Sequence, residues 1–504
     1  MISSPVASTR NVVPRWRSLR RTVQSRELAM PKTGEPWKHQ PLSEELRIRK
    51  ARWRLDPNVV SAAELVEIGL TEGNEPEAIT AAKALLDGQF TPTSLVREQA
   101  HRLLERQGEI ASSADTALKS LQTRLHAWRL RTRNYTRDAL AWVELSRLQL
   151  ASGEKEDAIR SMQVAKQLAP TDRHVIRSAT RMFLHLHQNE VAHDLLKKCE
   201  RTKHDPWLTA AEIAVASHRG KPPLMFKNGE SFISAGKYFP HQYTELAAAL
   251  GTILLRDGSR KRGRKMIGAS LSDPTGNTLA QVEWISANLR EDRLIQGVSA
   301  LRTSSDASEA RSIHSFRMGQ FDKALEFAVE WLDEEPYSNR AHVAAVAAAG
   351  VLEDFDRVIE LANVALKFDP TSAPILHNKV YALACVGHLD DAEKLLELTD
   401  KIGGHVAHVG EANRGLIAMR RGLTEIGLAH YKSAIAGFKR DNALYAERSA
   451  SSFLAREAAR AQLPIAEKLV SEAEKKLGKE DFHARKVIDN AKALLAASKN
   501  RPTS

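Results

Sequence analysis

The chain has 504 residues, 74 Lys and Arg against 62 Asp and Glu, a net charge of +12, 6% aromatic residues and two cysteines. That length exceeds one compact core and demands several domains or an extended array. No apolar run reaches the roughly 20 residues that cross a bilayer, and Cys199 and Cys385 form neither a disulfide framework nor a metal knuckle, which fits a reducing compartment.

Residues 1–54 read as a basic, flexible arm. They hold 13 of the basic side chains and only 4 acids, so the remainder is nearly neutral. The high charge therefore gives no general ground for nucleic-acid binding. Arg10, Arg15, Arg17, Arg20, Arg21 and Arg26 all precede the first acid, Glu27, while Trp16, Trp37 and Trp53 punctuate the arm. Without the hydrophobic stretch of a secretory signal, the arm reads as a solvated tail. The alternatives are an Arg-rich transit peptide or a true start at Met30. The tryptophans offer a partner something on which to order it.

Residues 55–138 read as degenerate helical repeats, with Leu65, Gly73, Ala78, Ala82 and Leu85 in register. Within them, residues 119–137 carry Arg124, Arg129, Arg131 and Arg133 among six basic side chains, interleaved with His126, Trp128 and Tyr135 and without an acid. Basic groups grip phosphates and aromatic rings stack on bases, so these four arginines are the candidate nucleic-acid contacts. A solvated helix face with Trp128 in the core is the plainer reading.

Residues 139–277 open with the order Trp142, Leu145, Ser146, Gly153, Ala158, Met162, Ala165 and Pro170. Small Ser146 and Ala158 allow two helices to touch, Gly153 turns the chain, and Pro170 ends the second helix. The next unit keeps Ala179, Phe183, Ala192, Leu196 and Cys199 but has no turn glycine. Residues 207–243, with Pro222 and Pro223, read as an irregular helical insert, after which Leu250, Gly251, Gly258, Ile267 and Pro274 resume the pattern. Residues 278–304 read as a connecting helix.

The clearest tandem is residues 305–441. Gly319, Glu353 and Gly387 keep step with Ala324, Val358 and Ala392, and Pro336 and Pro370 follow at the same interval of 34 residues. Gly415, Gly422, Tyr431 and Ala434 add a unit displaced by one residue. Such a period is the mark of a helix-turn-helix solenoid. Residues 442–504, broken at Pro464 and Gly478, read as a C-terminal helical cap and short tail.

These motifs resemble the tetratricopeptide repeat family. The resemblance implies an all-α, right-handed solenoid of helical hairpins, here preceded by a disordered basic N-terminal arm. It also implies a concave groove lined by the first helix of each repeat. At the groove positions stand Arg147, His174, Arg177, Arg181, His185 and Arg256, a basic stripe suited to an acidic or C-terminal carboxylate ligand. Charge reversal at Arg147, Arg177 and Arg181 is expected to abolish partner capture while folding survives. The Lys and Asn set by which some family members clamp a chaperone tail is missing. Val343, Ala347, His377 and Tyr381 stand there and suggest an apolar groove.

No Gly-rich phosphate loop, HExxH, Gly-x-Ser-x-Gly or paired CxxC is present in the sequence. His405 and His408 with Glu411, and His185, His187, His193 and His204 with Cys199, have ligand chemistry but read as ordinary repeat residues. The sequence thus points to a non-enzymatic cytoplasmic scaffold or adaptor, with no cofactor, metal or membrane partner, that binds a protein or peptide in its groove. The alternatives are a nucleic-acid-binding protein using the arm and residues 119–137, or a regulatory subunit of a separately encoded enzyme.

Overall fold

A computed structural model describes residues 12–16, 42–72, 76–106, 114–236, 238–289, 291, 307–402, 407–479 and 481–499. Among them the regular structure is 25 α-helices and one 3-10 turn, with no strand. The chain divides into two compact units, one spanning Arg10–Ala307 and the other built on Ser308–Ser504. Several sequence expectations fall outside the described residues: Arg10, Arg17, Arg20, Arg21, Arg26, Trp37, Gly73, His405 and most of the segment after residue 289.

The first unit contains α1 (Leu42–Leu55), α2 (Val59–Glu72), α3 (Pro76–Leu86), α4 (Ser94–Arg106), α5 (Ala114–Asn134), α6 (Ala139–Ala151), α7 (Lys155–Leu168), α8 (Arg173–His185), α9 (Asn189–Lys198), α10 (Pro206–His218), α11 (Phe226–Ser234), α12 (Pro240–Arg256), α13 (Arg260–Ser270) and α14 (Gly276–Leu289). Three inner helices start on aspartate caps. Asp138 accepts from the Ala141 amide, Asp172 from Val175, and Asp205 from Trp207, with Pro206 in the first turn of α10. Each cap satisfies an amide that the helix itself leaves unbonded.

The second unit contains α15 (Ser308–Arg317), α16 (Phe321–Glu334), α17 (Asn339–Val351), α18 (Phe355–Phe368), α19 (Ala373–Val386), α20 (Leu389–Ile402), α21 (Ala407–Arg420), α22 (Thr424–Arg440), α23 (Leu444–Arg460), α24 (Ala466–Lys476) and α25 (Phe482–Lys499). Its helices pair in sequence as hairpins. Pro170, Pro336 and Pro370 each stand two residues beyond the end of a second helix, α7, α16 and α18 respectively.

The period is a backbone property. Left-handed φ angles occur at Gly153 (83°) and His187 (58°), and again at Gly319 (72°), Glu353 (63°) and Gly387 (92°). Within each set successive positions are 34 residues apart. The unit from Arg173 therefore has the same turn without the glycine; His187 takes the strained conformation instead. Gly422 (82°) follows Gly387 by 35 residues, so the extra residue falls between repeats and leaves the next hairpin in register.

Helices within a hairpin cross at small residues 12 apart. Ser146 Oγ donates to the Ala158 carbonyl at 2.7 Å, and Ser312 Oγ to the Ala324 carbonyl at 3.0 Å. At Gly251 and Gly415 the same crossing leaves no room for a Cβ, which would lie 2.7 Å from Ile267 and 2.6 Å from Tyr431. Helix backbones this close are possible only where the side chain is minimal.

Two stretches correct the reading of residues 1–54 as one flexible arm. Residues 42–54 belong to α1, whose Arg49 and Arg52 pair with Glu67 and Glu64 of α2 at 3.3 and 3.2 Å, while Arg54 pairs with Glu77 of α3. Residues 12–16 belong to the first unit, where Asn277 donates to the Val13 carbonyl at 2.9 Å, and Trp16 is fully buried. The apolar side chains at Val12, Pro14 and Trp16 supply burial that the surrounding arginines hid from a charge count.

The C-terminal segment also does more than cover one end. Phe482 lies where a Cβ on Gly319 would touch it at 2.8 Å, His483 stacks edge-on against Phe321 and Phe453, and Asn490 donates to Glu353 at 2.8 Å. Helix α25 thus reaches the first two turns of its unit. It can do so because curvature brings distant repeats together: Arg456 meets Glu353, 103 residues earlier, at 3.3 Å.

Candidate binding surfaces

Curvature likewise organises the inner side of the first unit. Arg177 on α8 passes over the Trp207 ring of α10, 4.9 Å from its centroid. It then donates to Glu245 of α12, 68 residues away, at 2.9 Å and to the Trp207 carbonyl at 3.3 Å. Only the inner side of a curved stack lets alternate first helices meet in this way. Glu245 also accepts from Thr275 at 3.4 Å, which carries the polar ladder to the start of α14. There Asn277, 2% exposed, donates from Nδ2 to the Val13 carbonyl at 2.9 Å.

The candidate groove residues fall into different settings. Arg147 is 0% exposed and pairs with the equally buried Glu144 at 3.3 Å. Arg177 is buried against Glu245. His174, Arg181 and His185 are half-buried on α8, and their spacing places them on one helix face with Arg177. Arg256 is exposed and stacks over Trp284 at 5.1 Å. The structure therefore corrects the expectation that reversing Arg147 and Arg177 would spare folding. Each matches a carboxylate inside the protein, and reversal would bury two like charges side by side.

The basic segment of α5 is also partly committed. Arg124 is buried, Arg129 pairs with Glu154 at 2.6 Å, and Arg131 pairs with Asp138 at 2.9 Å while lying over Trp128 and Tyr135. Arg133 is exposed, as is Tyr135 at 63%. Around the turn after α12, Arg262 pairs with Glu230 and Arg264 with Glu291.

The histidine clusters separate. Arg219, always a donor, lies 2.7 Å from His193 Nδ1, so that nitrogen accepts and Nε2–H donates to Glu212 at 2.9 Å. Glu212 also accepts the Leu224 and Met225 amides at 3.1 and 3.0 Å. This pins the joint that carries Pro222 and Pro223, a structural role that spacing could not reveal. His187 occupies a turn and His204 is exposed. His408 pairs with Asp441 at 3.1 Å, whereas Glu411 binds His430 at 2.8 Å. Among the described residues no group of three His, Cys, Asp or Glu is placed to hold a metal, and no helix is long and apolar enough to cross a membrane.

In the second unit, Ala347, His377 and Tyr381 are buried and Val343 is half-buried. This replaces the expected apolar groove with a packed interior. Arg456 donates to the Tyr381 hydroxyl at 3.0 Å and to Glu457 at 2.9 Å, and Arg420 adds a 2.7 Å bond to Glu457. Burial alone would raise the Glu457 carboxyl, but Arg456 and Arg420 beside it bring it below its ordinary range. Burial pushes the Cys385 thiol up, away from the thiolate that a nucleophile requires.

No family model and no curated protein matches the chain. Solved structures do show similarity. A monomeric mutant of IFIT1 with Gppp-AAAA is 15% identical, covering 70% of this chain and 90% of that one at a TM-score of 0.36. Yeast Tom70 is 12% identical, covering 93% and 98% at 0.30. A human IFIT1 dimer with PPP-AAAA is 14% identical, covering 88% and 100% at 0.31. The turns and crossings of this chain make the protein an all-α solenoid of helical hairpins, similar in fold to tetratricopeptide repeats.

Proposed function

We propose that this protein is a non-enzymatic scaffold that holds an extended segment of a protein partner against the inner side of the Arg10–Ala307 repeats. The observation that carries this reading is the bond from Asn277 to the Val13 carbonyl beside the buried Trp16. A main-chain carbonyl is offered by any sequence, and an aromatic anchor supplies most of the contact energy in a small interface. The half-buried Arg181, His174 and His185 and the exposed Arg256 are the basic residues assigned to partner contact, which favours acidic side chains flanking the stretch that docks at α14. Arg147 and Arg177 instead shape the surface from within.

The test is affinity capture by the tagged full-length chain from its host, with and without nuclease. Proteins retained after nuclease, and depleted by Arg181→Glu with Arg256→Glu, are expected. Retention that disappears with nuclease would reject the reading in favour of nucleic acid at Arg129, Arg131 and Arg133.

A further inference from the structure

We infer that residues 12–16 are an intramolecular ligand of the inner side of the Arg10–Ala307 unit. They occupy the place at α14 where a partner's segment docks, so that place accepts a short extended peptide with a β-branched residue and proline ahead of an aromatic anchor. This inference rests on the scaffold reading and adds its regulation.

The local sequence favours an extended backbone. Pro14 fixes its own φ and disfavours the helical region for Val13, which is itself β-branched. Burial alternates as such a backbone requires: Val12, Pro14 and Trp16 are buried, while Val13 and Arg15 between them are half-buried. A period of two means that one side of the segment faces the protein. The segment has no regular secondary structure of its own.

The receiving surface is built rather than incidental. Asn277 is almost wholly buried, and its amide reaches the one carbonyl, Val13, whose following residue has no N–H to offer. It stands on α14 beside Thr275, which ties it to Glu245 and through it to Arg177. The contact therefore lies at the end of the inner polar ladder. Backbone recognition by Asn277 sets the orientation of the segment, and the indole at position 16 sets the register.

Tethering has a definite consequence. A ligand carried on the same chain acts at an effective concentration in the millimolar range, so an outside peptide must compete with it. The surface is expected to be closed to weak partners and open to those with a better anchor, or to the same chain once residues 12–16 leave.

The experiment uses a fluorescent peptide with the sequence of residues 11–17, Asn-Val-Val-Pro-Arg-Trp-Arg, and full-length protein. Trp16→Ala should bind it at least about tenfold more tightly than wild type, the cis competitor having lost its anchor. Adding Asn277→Asp to Trp16→Ala, which sets a carboxylate against the peptide carbonyl, should return binding to the wild-type level or below. Equal affinity for wild type and Trp16→Ala, including no binding by either, overturns the inference.

Because Trp16→Ala could perturb folding, tryptic cleavage after Arg15 in the wild-type chain provides a second readout. Excess unlabelled peptide with citrulline in place of both arginines, which trypsin does not cleave, should accelerate that cleavage about tenfold by displacing the segment. An unchanged rate overturns the inference as well. The two readings fail separately. Peptide behaviour as expected with no protein captured rejects the scaffold alone, whereas capture equal for wild type and Trp16→Ala, with no peptide discrimination, rejects the cis contact alone.

Discussion

His187 and Gly387 occupy one structural position at φ angles of 58° and 92°, and the energetic consequences are opposite. A side chain with a Cβ is strained there, whereas glycine is not. His187→Gly is expected to raise the urea midpoint, with a gain of about 0.5–1 kcal/mol after the added freedom of the unfolded chain is subtracted. Gly387→Ala should lower it by about 1 kcal/mol or more. The glycines announced their turns because few other residues tolerate that conformation. His187 gave no such signal, and only its distance of 34 residues from Gly153 marks it.

Helices α17, α19 and α25 each bury a histidine, and packing determines how these titrate. Burial pushes His342 and His377 down to about 4 and His483 to about 3. In the unfolded chain an imidazole titrates near 6.5. Between these values the unfolded state holds more protons, so stability is full above about pH 6.5 and declines as pH falls toward 4. His342 alone accounts for up to about 3 kcal/mol across that window. His342→Gln, which keeps a donor for the Pro336 carbonyl, should flatten the dependence of the urea midpoint on pH between 7 and 4.5. An unchanged slope would show that the buried imidazole titrates freely.

These elements also show what the sequence made legible. Hairpin lengths, turns and the small crossing pairs followed from periodicity and side-chain size. The reach of α25 to Gly319 and Glu353 did not, because the pairing depends on curvature summed over several repeats. The groove assignments suffered for the same reason. Spacing placed Arg147 and Arg177 on the inner helices, but their carboxylate partners Glu144 and Glu245 became visible only in the fold. Residues 12–16 are not legible as a packed segment because six arginines mask an apolar alternation three residues deep.

At the scale of the whole molecule, each unit winds tightly enough for side chains to bridge repeats that are not neighbours. Arg177 reaches Glu245 across α10, and Arg456 reaches Glu353 across the second unit. That winding gives the first unit an inner surface lined with matched charges and a place for an extended segment beside Asn277. The most direct test is a double-mutant cycle on Arg177 and Glu245 in the full-length chain, read by urea unfolding. Arg177→Met alone strands a buried carboxylate and should cost about 3–5 kcal/mol, with Glu245→Gln added restoring most of the loss. Additive costs for the two substitutions would contradict the account, because the inner sides of alternate repeats would then not be in contact.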